Sequence, residues 1–234
     1  MSSIWAIVPA AGSGRRMAAE IPKQYLSVGG LPILEHTLRA LLACSDIRGV
    51  VVVLDPSDRR ADSLESLSDP RVNRAAGGAE RVDSVLAGLK VLITEASWDD
   101  WVLVHDAARP CLPVTDLKRL IKHVEHHNVG AILAQPSVDT IKRVNSKGRV
   151  VKTLDRTKLW RAQTPQMFRL RDLHDALVVS LSEGLIVTDE ASAMELQGHT
   201  VHVVEGPASN IKVTIPEDLE LAALYLQSKL ETER

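Results

Sequence analysis

Short apolar runs alternate with segments of helical spacing through the first half of the chain, and this alternation restricts the fold more than any other feature. Ile4 to Val8 ends at Pro9 and has the length and flanks of a buried strand. Val50 to Leu54, Val72 to Ala75, Trp101 to Val104 and Ala131 to Ala134 read the same way. Between them, Leu34, Leu38, Leu41 and Leu42 share one helical face, and Leu117, Leu120, Ile121 and Val124 share another. Strand, helix, strand in series predicts the α/β class: a Rossmann-like, mostly parallel sheet with right-handed crossovers and helices on both faces. Ligands of such sheets bind beyond the carboxyl ends of the strands, so the loops that follow these runs are where chemistry is expected.

Residues 139–155 break the alternation. Thr140 to Val144 and Val150 to Leu154 are strand-like and are joined by Asn145-Ser146-Lys147-Gly148, whose glycine supplies the positive φ of a tight connection. This predicts a β-hairpin arm, residues 137–157, inserted into one domain that spans residues 1–234. Its apolar residues Ile141, Val144, Val151 and Leu154 would stay exposed on a lone two-stranded ribbon. Packing against a twofold copy would cover them, so the arm is expected to form a homodimer. Near the end, Pro216-Glu217-Asp218 opens a last helix, with acids at its positive end.

A chain of 234 residues can bury a core without disulfides. Its two cysteines, Cys44 and Cys111, are too sparse for a disulfide framework or thiolate metal site and suit a reducing compartment. The N-terminal residues run straight into the first apolar strand without a basic leader. No signal peptide and no transmembrane span are therefore expected, and the protein is expected in the cytoplasm. A formal net charge of −2 gives no general attraction to nucleic acid or membrane. Phosphate chemistry would have to rest on a local cluster of cations.

Such a cluster follows the first strand. Pro9-Ala10-Ala11-Gly12-Ser13-Gly14-Arg15-Arg16-Met17 is followed by Pro22-Lys23-Gln24. Small residues and two glycines let backbone N–H groups approach an anion, and the adjacent cations add charge. A dinucleotide fingerprint wants a third glycine where Met17 stands and an acid far earlier than Asp55, which disfavours a dehydrogenase. No Gly-Lys-Ser/Thr closes a Walker loop either. A nucleoside triphosphate held by a different glycine loop remains.

Val104-His105-Asp106-Ala107-Ala108-Arg109-Pro110 ends another predicted strand. Asp106 is placed to hold Mg²⁺, because a hard cation on phosphates takes one or two carboxylates plus water. The same pattern also fits a capping aspartate with an arginine partner. Gly77-Gly78-Ala79-Glu80-Arg81, with Ser84, serves equally to line a base pocket or to end a strand. His123, His126 and His127 are not in zinc-protease order and lie off the apolar face of their helix, so they are expected to face solvent. Cys111 and His105 are assigned to packing and structure.

The chain resembles the 2-C-methyl-D-erythritol 4-phosphate cytidylyltransferases of the non-mevalonate isoprenoid pathway. The likeness runs from about Ile7 to Tyr225 and rests on A-A-G-S-G-R-R-M, P-K-Q-Y, G-G-A-E-R-V-D-S-V, H-D-A-A-R-P, D-T-I-K-R, Q-T-P-Q-M-F, T-D-E-A-S and N-I-K-V-T, in that order. The resemblance implies that CTP is bound by Pro9, Ala10, Ala11, Gly12, Ser13 and Gly14, by Gly78 and Ser84 around cytosine, and by Ala107. It implies transition-state stabilisation by Arg16 and Lys23, and Mg²⁺ or a similar divalent cation on Asp106. Arg109, Thr140, Arg156, Thr188 and Lys212, with Asp106, would hold the substrate, and Arg156 and Lys212 would join Arg16 and Lys23 as catalytic residues. Family members dimerise through such an arm, so Thr140 and Arg156 would reach the partner's acceptor.

The chemistry agrees. A phosphate monoester is mostly dianionic at neutral pH and needs no general base to attack phosphorus. That suits a chain without a convincing Ser-His-Asp or Cys-His set. The two competing readings are a cytidylyltransferase for another polyol phosphate, such as ribitol 5-phosphate, and a non-catalytic nucleotide-binding module.

Overall fold

The structure, a computed structural model, describes residues 2–12 and 21–232, with side chains as far as residue 228. The chain begins with β1 (Ile4–Pro9), a short ladder of β2 (Ser27–Val28) and β3 (Leu31–Pro32), then α1 (Ile33–Leu42). Next come β4 (Ile47–Leu54), β5 (Val72–Ala76), α2 (Arg81–Leu92), β6 (Trp101–Val104), α3 (Val114–His127) and β7 (Ala131–Pro136). The arm strands β8 (Lys142–Val144) and β9 (Val150–Thr153) precede β10 (Trp160–Arg169). The last elements are α4 (Leu170–Ser182), α5 (Glu190–Leu196), β11 (His202–Glu205) and α6 (Glu217–Thr232).

Among the described residues the main sheet has seven strands in the order β11-β7-β10-β6-β1-β4-β5. All neighbours pair in parallel except β10, which runs antiparallel to both β6 and β7. The sheet is thus mostly parallel, as the alternation predicts, and every strand anticipated from an apolar run is present.

Strand alternation divides the core into two layers. Ile4, Ala6 and Val8 of β1 face α1 and α3, where Leu34, Leu38, Leu41, Leu117, Leu120, Ile121 and Val124 are buried. Trp5 and Ile7 face the opposite layer, formed by Val85, Leu89 and Leu92 of α2, Leu173 and Leu177 of α4, and Met194 of α5. Burying side chains of this size is worth about 1.5–3 kcal/mol each relative to exposure, which is why these faces, and not local propensity, fix the helices on the sheet. Leu42, expected on the same face as Leu38, is only half-buried at the rim of that layer. A third, smaller cluster packs Ala222 of α6 with Val213, Cys111, Ile33 and Val28. It ties the segment before α6 to the loop after β6. Asp218, in the first turn of α6, holds the preceding segment against the helix by accepting from the Thr214 and Ile215 N–H groups.

The arm is a separate two-stranded ladder, somewhat shorter than the sequence suggests, with Lys142 opposite Thr153 and Arg143 opposite Lys152. Asn145 accepts from the Lys147 and Arg149 N–H groups through its side chain, and Gly148 sits at φ +73°, closing the turn. Val144, Val150 and Val151 are exposed, whereas Ile141 and Leu154 are half-buried and joined by the Leu154 N–H to Ile141 carbonyl bond. Only part of the expected apolar exposure is therefore present.

Candidate active site

The sheet order places β1 between β4 and β6, and the loops leaving the carboxyl ends of β1 and β6 diverge there. A crevice at that switch point is the expected ligand site of an open α/β sheet. A cavity of ≈ 320 Å³ lies there. It brings together Pro9, Ala10, Ala11, Gly12, Lys23, Gly78, Ser84, Asp106, Ala107 and Lys212, all expected site residues. Ser13, Gly14 and Arg16 lie outside the described residues.

Each rim is built locally. The Ala10 N–H donates to the Val53 carbonyl at 2.7 Å, and the Gly77 N–H donates to the Leu54 carbonyl at 2.8 Å, so both loops are pinned to the end of β4. A Cβ on Gly77 would lie 2.3 Å from Ala11 Cβ, and one on Gly78 would lie 2.4 Å from Asp83 Cβ. Glycine is required at both places by close approach. Asp83 accepts from the Glu80 N–H at 3.0 Å and fixes the first turn of α2, next to the buried Ser84. Gln24, buried just after Lys23, donates to the carbonyls of Ala10 at 2.8 Å and Gly12 at 3.1 Å. The glycine loop is thereby braced from below.

The loop after β6 carries the acid. The Asp106 N–H donates to Thr164 Oγ1 at 2.9 Å, and the Arg109 N–H closes a turn onto the Asp106 carbonyl at 3.1 Å. His105 is fully buried between Thr164 Oγ1 at 3.0 Å and the Arg109 carbonyl at 3.1 Å. Burial pushes its pKa down to about 4 against the opposing pull of Asp106, so it is a neutral structural group. The Val213 N–H donates to the Ala108 carbonyl at 2.8 Å and brings Lys212 to the same place. Lys23 Nζ reaches the Val213 carbonyl from the other side at 3.3 Å.

Asp106 is the electrostatic centre. Its Oδ1 accepts from Arg81 Nε at 3.1 Å, while Oδ2 lies 2.8 Å from Lys212 Nζ and 3.6 Å from Arg109 Nε. Burial pushes the carboxyl pKa up, but the charges of Arg81, Lys212 and Arg109 outweigh it and hold the group well below the ordinary carboxylate range. Asp106 is therefore ionised at any physiological pH. Arg81 in turn makes a two-pronged pair with the buried Glu190, at 2.6 Å and 3.0 Å. Arg109 donates to the Asn210 carbonyl at 2.7 Å. Three cations against two acids leave this cluster net positive, ready for a polyanion.

Lys212 also lines a neighbouring cavity of ≈ 460 Å³, together with Arg109, Arg161, Gln163 and Tyr225. The remaining expected residues are not brought to either cavity within one chain. Thr140 and Arg156 sit exposed at the base of the arm, where Arg156 donates to the Val138 carbonyl. Thr188 is exposed just before α5, its N–H bonded to Ser192 Oγ. Sequence reasoning gave no role to Gln24, Arg81, Thr164 or Glu190. Arg81 and Glu190 stand inside quoted motifs, but nothing local reveals a bond across 109 positions. Of the three helix histidines, His126 and His127 are exposed as expected, whereas His123 departs from the expectation: it is half-buried, with its Nε2 3.1 Å from His202 Nδ1.

A small-residue loop, a buried acid ringed by cations and a switch-point crevice together define an α/β nucleotidyltransferase. The model of the 2-C-methyl-D-erythritol 4-phosphate cytidylyltransferase family matches residues 4–228, and the chain belongs to that family. It is 51% identical to a protein of that name from Pseudomonas putida (strain W619) over 221 residues, 94% of each chain. Among solved structures, one titled 4-diphosphocytidyl-2C-methyl-D-erythritol synthase superposes with TM-score 0.83 at 38% identity, covering 97% of this chain and 99% of the other. The Francisella tularensis 2-C-methyl-D-erythritol 4-phosphate cytidylyltransferase gives TM-score 0.83 at 37% identity, over 96% and 100% of the two chains.

Proposed function

We propose that this crevice joins CTP to 2-C-methyl-D-erythritol 4-phosphate, giving the CDP-linked methylerythritol and pyrophosphate. The acceptor phosphate attacks the α-phosphorus directly and displaces pyrophosphate, so one P–O bond forms as another breaks. The observation that carries this reading is Asp106, ionised and ringed by Arg81, Arg109 and Lys212, in the same cavity that Pro9 to Gly12 line. A site that must bring a dianion to a triphosphate needs this surplus of fixed positive charge more than it needs a base.

In this reading Pro9 to Gly14 cradle the triphosphate, Gly78 and Ser84 border the cytosine, and Ala107 completes the nucleotide side. Arg16 and Lys23 act on charge that develops at the α-phosphate. Lys212 lines both cavities and so stands between donor and acceptor, with Arg109 on the acceptor side. The donor set at Asp106 suits Mg²⁺ or a similar divalent ion. One hard carboxylate oxygen, Oδ2, is left over by Arg81, and phosphate oxygens and water would complete the shell. Among the described residues no group of three or more His, Cys, Asp or Glu side chains is placed to hold a metal alone. When bound, such an ion neutralises triphosphate charge and polarises the α-phosphate.

Thr140, Arg156 and Thr188 lie away from both cavities of their own chain, and the arm exposes Val144, Val150 and Val151. A homodimer in which the arm, residues 137–157 of one single-domain chain, delivers Thr140 and Arg156 to the partner's acceptor accounts for both facts. No described helix is long and apolar enough to cross a membrane. The reading places the protein in the cytoplasm, where two sparse, buried cysteines, Cys44 and Cys111, suit a reducing compartment. Pyrophosphate release from CTP and the acceptor, with Mg²⁺ present and ATP as control, tests the reading. Equal release with ATP would contradict a pocket that excludes purines.

A further inference from the structure

The buried carboxylate of Glu190 has no role in the account above, yet it is the best-shielded acid in contact with the site. It belongs to the first turn of α5, and Gln166 of β10 clamps the residues on both sides of it. Gln166 Nε2 donates to Asp189 Oδ2 at 2.9 Å, and Gln166 Oε1 accepts from the Ala191 N–H at 2.8 Å. Glu190 is 1% exposed and takes both terminal nitrogens of Arg81, Nη1 at 2.6 Å and Nη2 at 3.0 Å. That leaves Arg81 only Nε for Asp106, and Nε binds only Oδ1.

We infer that Glu190 is a positioning residue for the transfer site: by occupying the fork of Arg81, it leaves Asp106 Oδ2 to the site. An arginine fork prefers two parallel bonds to one carboxylate. Freed from Glu190, the Arg81 guanidinium has Asp106 as the nearest acid and would close on both of its oxygens. Asp106 would then be a structural ion-pair partner, its second oxygen withdrawn from Lys212 and from any cation carried in on CTP. The path β10–α5–Glu190–Arg81–Asp106 therefore sets the state of the acid from within the layer that α2 and α5 share. Arg81 is also the first residue of α2, directly after the Gly77–Glu80 turn. The same anchor thus joins the nucleotide rim to the acid.

The inference rests on the proposed reaction and on Asp106 as the divalent-ion acid. Glu190→Gln keeps the shape and removes the charge. Free Mn²⁺, followed by its paramagnetic resonance signal, is titrated with protein in the presence of CTP, and melting is measured alongside. The expected result is Mn²⁺ retention weakened by about tenfold to a hundredfold, the usual range for losing a residue that orients a ligand. Turnover should fall with it. In an Arg81→Met background, Glu190→Gln should add little, because the group it acts through is gone. Glu190→Asp, which keeps the charge but shortens the reach, should fall between, and it carries the test if the glutamine variant does not fold. Mn²⁺ retention equal to the unsubstituted protein in a variant that merely melts lower would overturn the inference and leave Glu190 as a support for α5. Independent, additive losses in the two backgrounds would overturn it as well. An unsubstituted protein that turns over no CTP would instead sink the proposed reaction, so the two failures are distinguishable.

Discussion

Replacing Gly77 with alanine should force apart the two loops that frame the nucleotide cavity. The new Cβ would lie 2.3 Å from Ala11 Cβ and 3.0 Å from Ser84 Oγ. Carbon atoms in good contact sit about 3.5–4.0 Å apart, so the rims must separate by about 1.2–1.7 Å. Neither rim can yield freely, because Gly77 and the neighbouring Ala10 are each bonded to the carboxyl end of β4, at 2.8 Å and 2.7 Å. Overpacking of this kind costs about 1–3 kcal/mol. In a domain of this size that lowers Tm by about 2–4 °C per kcal/mol. The larger effect falls on function. A loop displaced by about 1 Å loses about a hundredfold through misplacement alone. Steady-state assays should therefore show kcat/KM for CTP falling by about that factor, with the acceptor KM little changed, because the displaced loop lies on the nucleotide side. Adding Ala11→Gly removes the atom that is struck and should restore most of the loss. A Gly77→Ala protein with unchanged melting and unchanged kcat/KM for CTP would refute the close-approach argument.

Asp106→Asn should abolish the charge balance of the cluster. Arg81 keeps Glu190 and Lys212 can turn to solvent, so the stability cost should be about 2 kcal/mol, below that of a wholly orphaned buried charge, while turnover falls by at least about a hundredfold. Melting curves and initial rates check the two parts separately. His105 sets a pH window. Its folded pKa of about 4 lies below its ordinary value of 6.5, so between those values the unfolded chain binds more protons and stability must fall as pH drops. The contribution is up to about 3 kcal/mol, and urea titrations across the window should show a flatter slope for His105→Gln. Mixed Arg156→Ala and Lys23→Ala proteins, each nearly inactive, should regain activity at about a quarter of their sites after subunit exchange, by twofold symmetry. No gain despite proven exchange would place both residues in one subunit's site.

The parts of this molecule legible in its sequence are those where a single local signal suffices. Ile4 to Pro9 and the small-residue loop behind it announce a buried strand feeding an anion site, and Trp101 to Asp106 does the same for the acid. Strand β10 is different. Gln163, Thr164 and Gln166 are buried polar side chains, and Pro165 interrupts the run, so only Met167 and Phe168 mark six successive buried positions as apolar. Those glutamines are tolerated because tertiary partners satisfy them: the Pro207 carbonyl for Gln163, and Asp189 and Ala191 for Gln166. Glu190 is illegible for the same reason, since its partner Arg81 stands 109 positions away on another helix of the same layer. The hairpin of the arm is legible in its alternating pattern and turn residues, but the pattern overstates its exposed apolar surface, because Ile141 and Leu154 are half-buried. The Leu154 N–H to Ile141 carbonyl bond pairs these two residues at the base of the arm.

The most direct test of the account follows the label from CTP carrying ³²P at the α-phosphate, in a single turnover with Mg²⁺ and either 2-C-methyl-D-erythritol 4-phosphate or ribitol 5-phosphate. The crevice described here should move the label into the CDP-linked methylerythritol while unlabelled pyrophosphate is released, with little transfer to ribitol 5-phosphate. Label that stays in CTP with both acceptors, or that moves only to ribitol 5-phosphate, would contradict the proposed reaction at its centre.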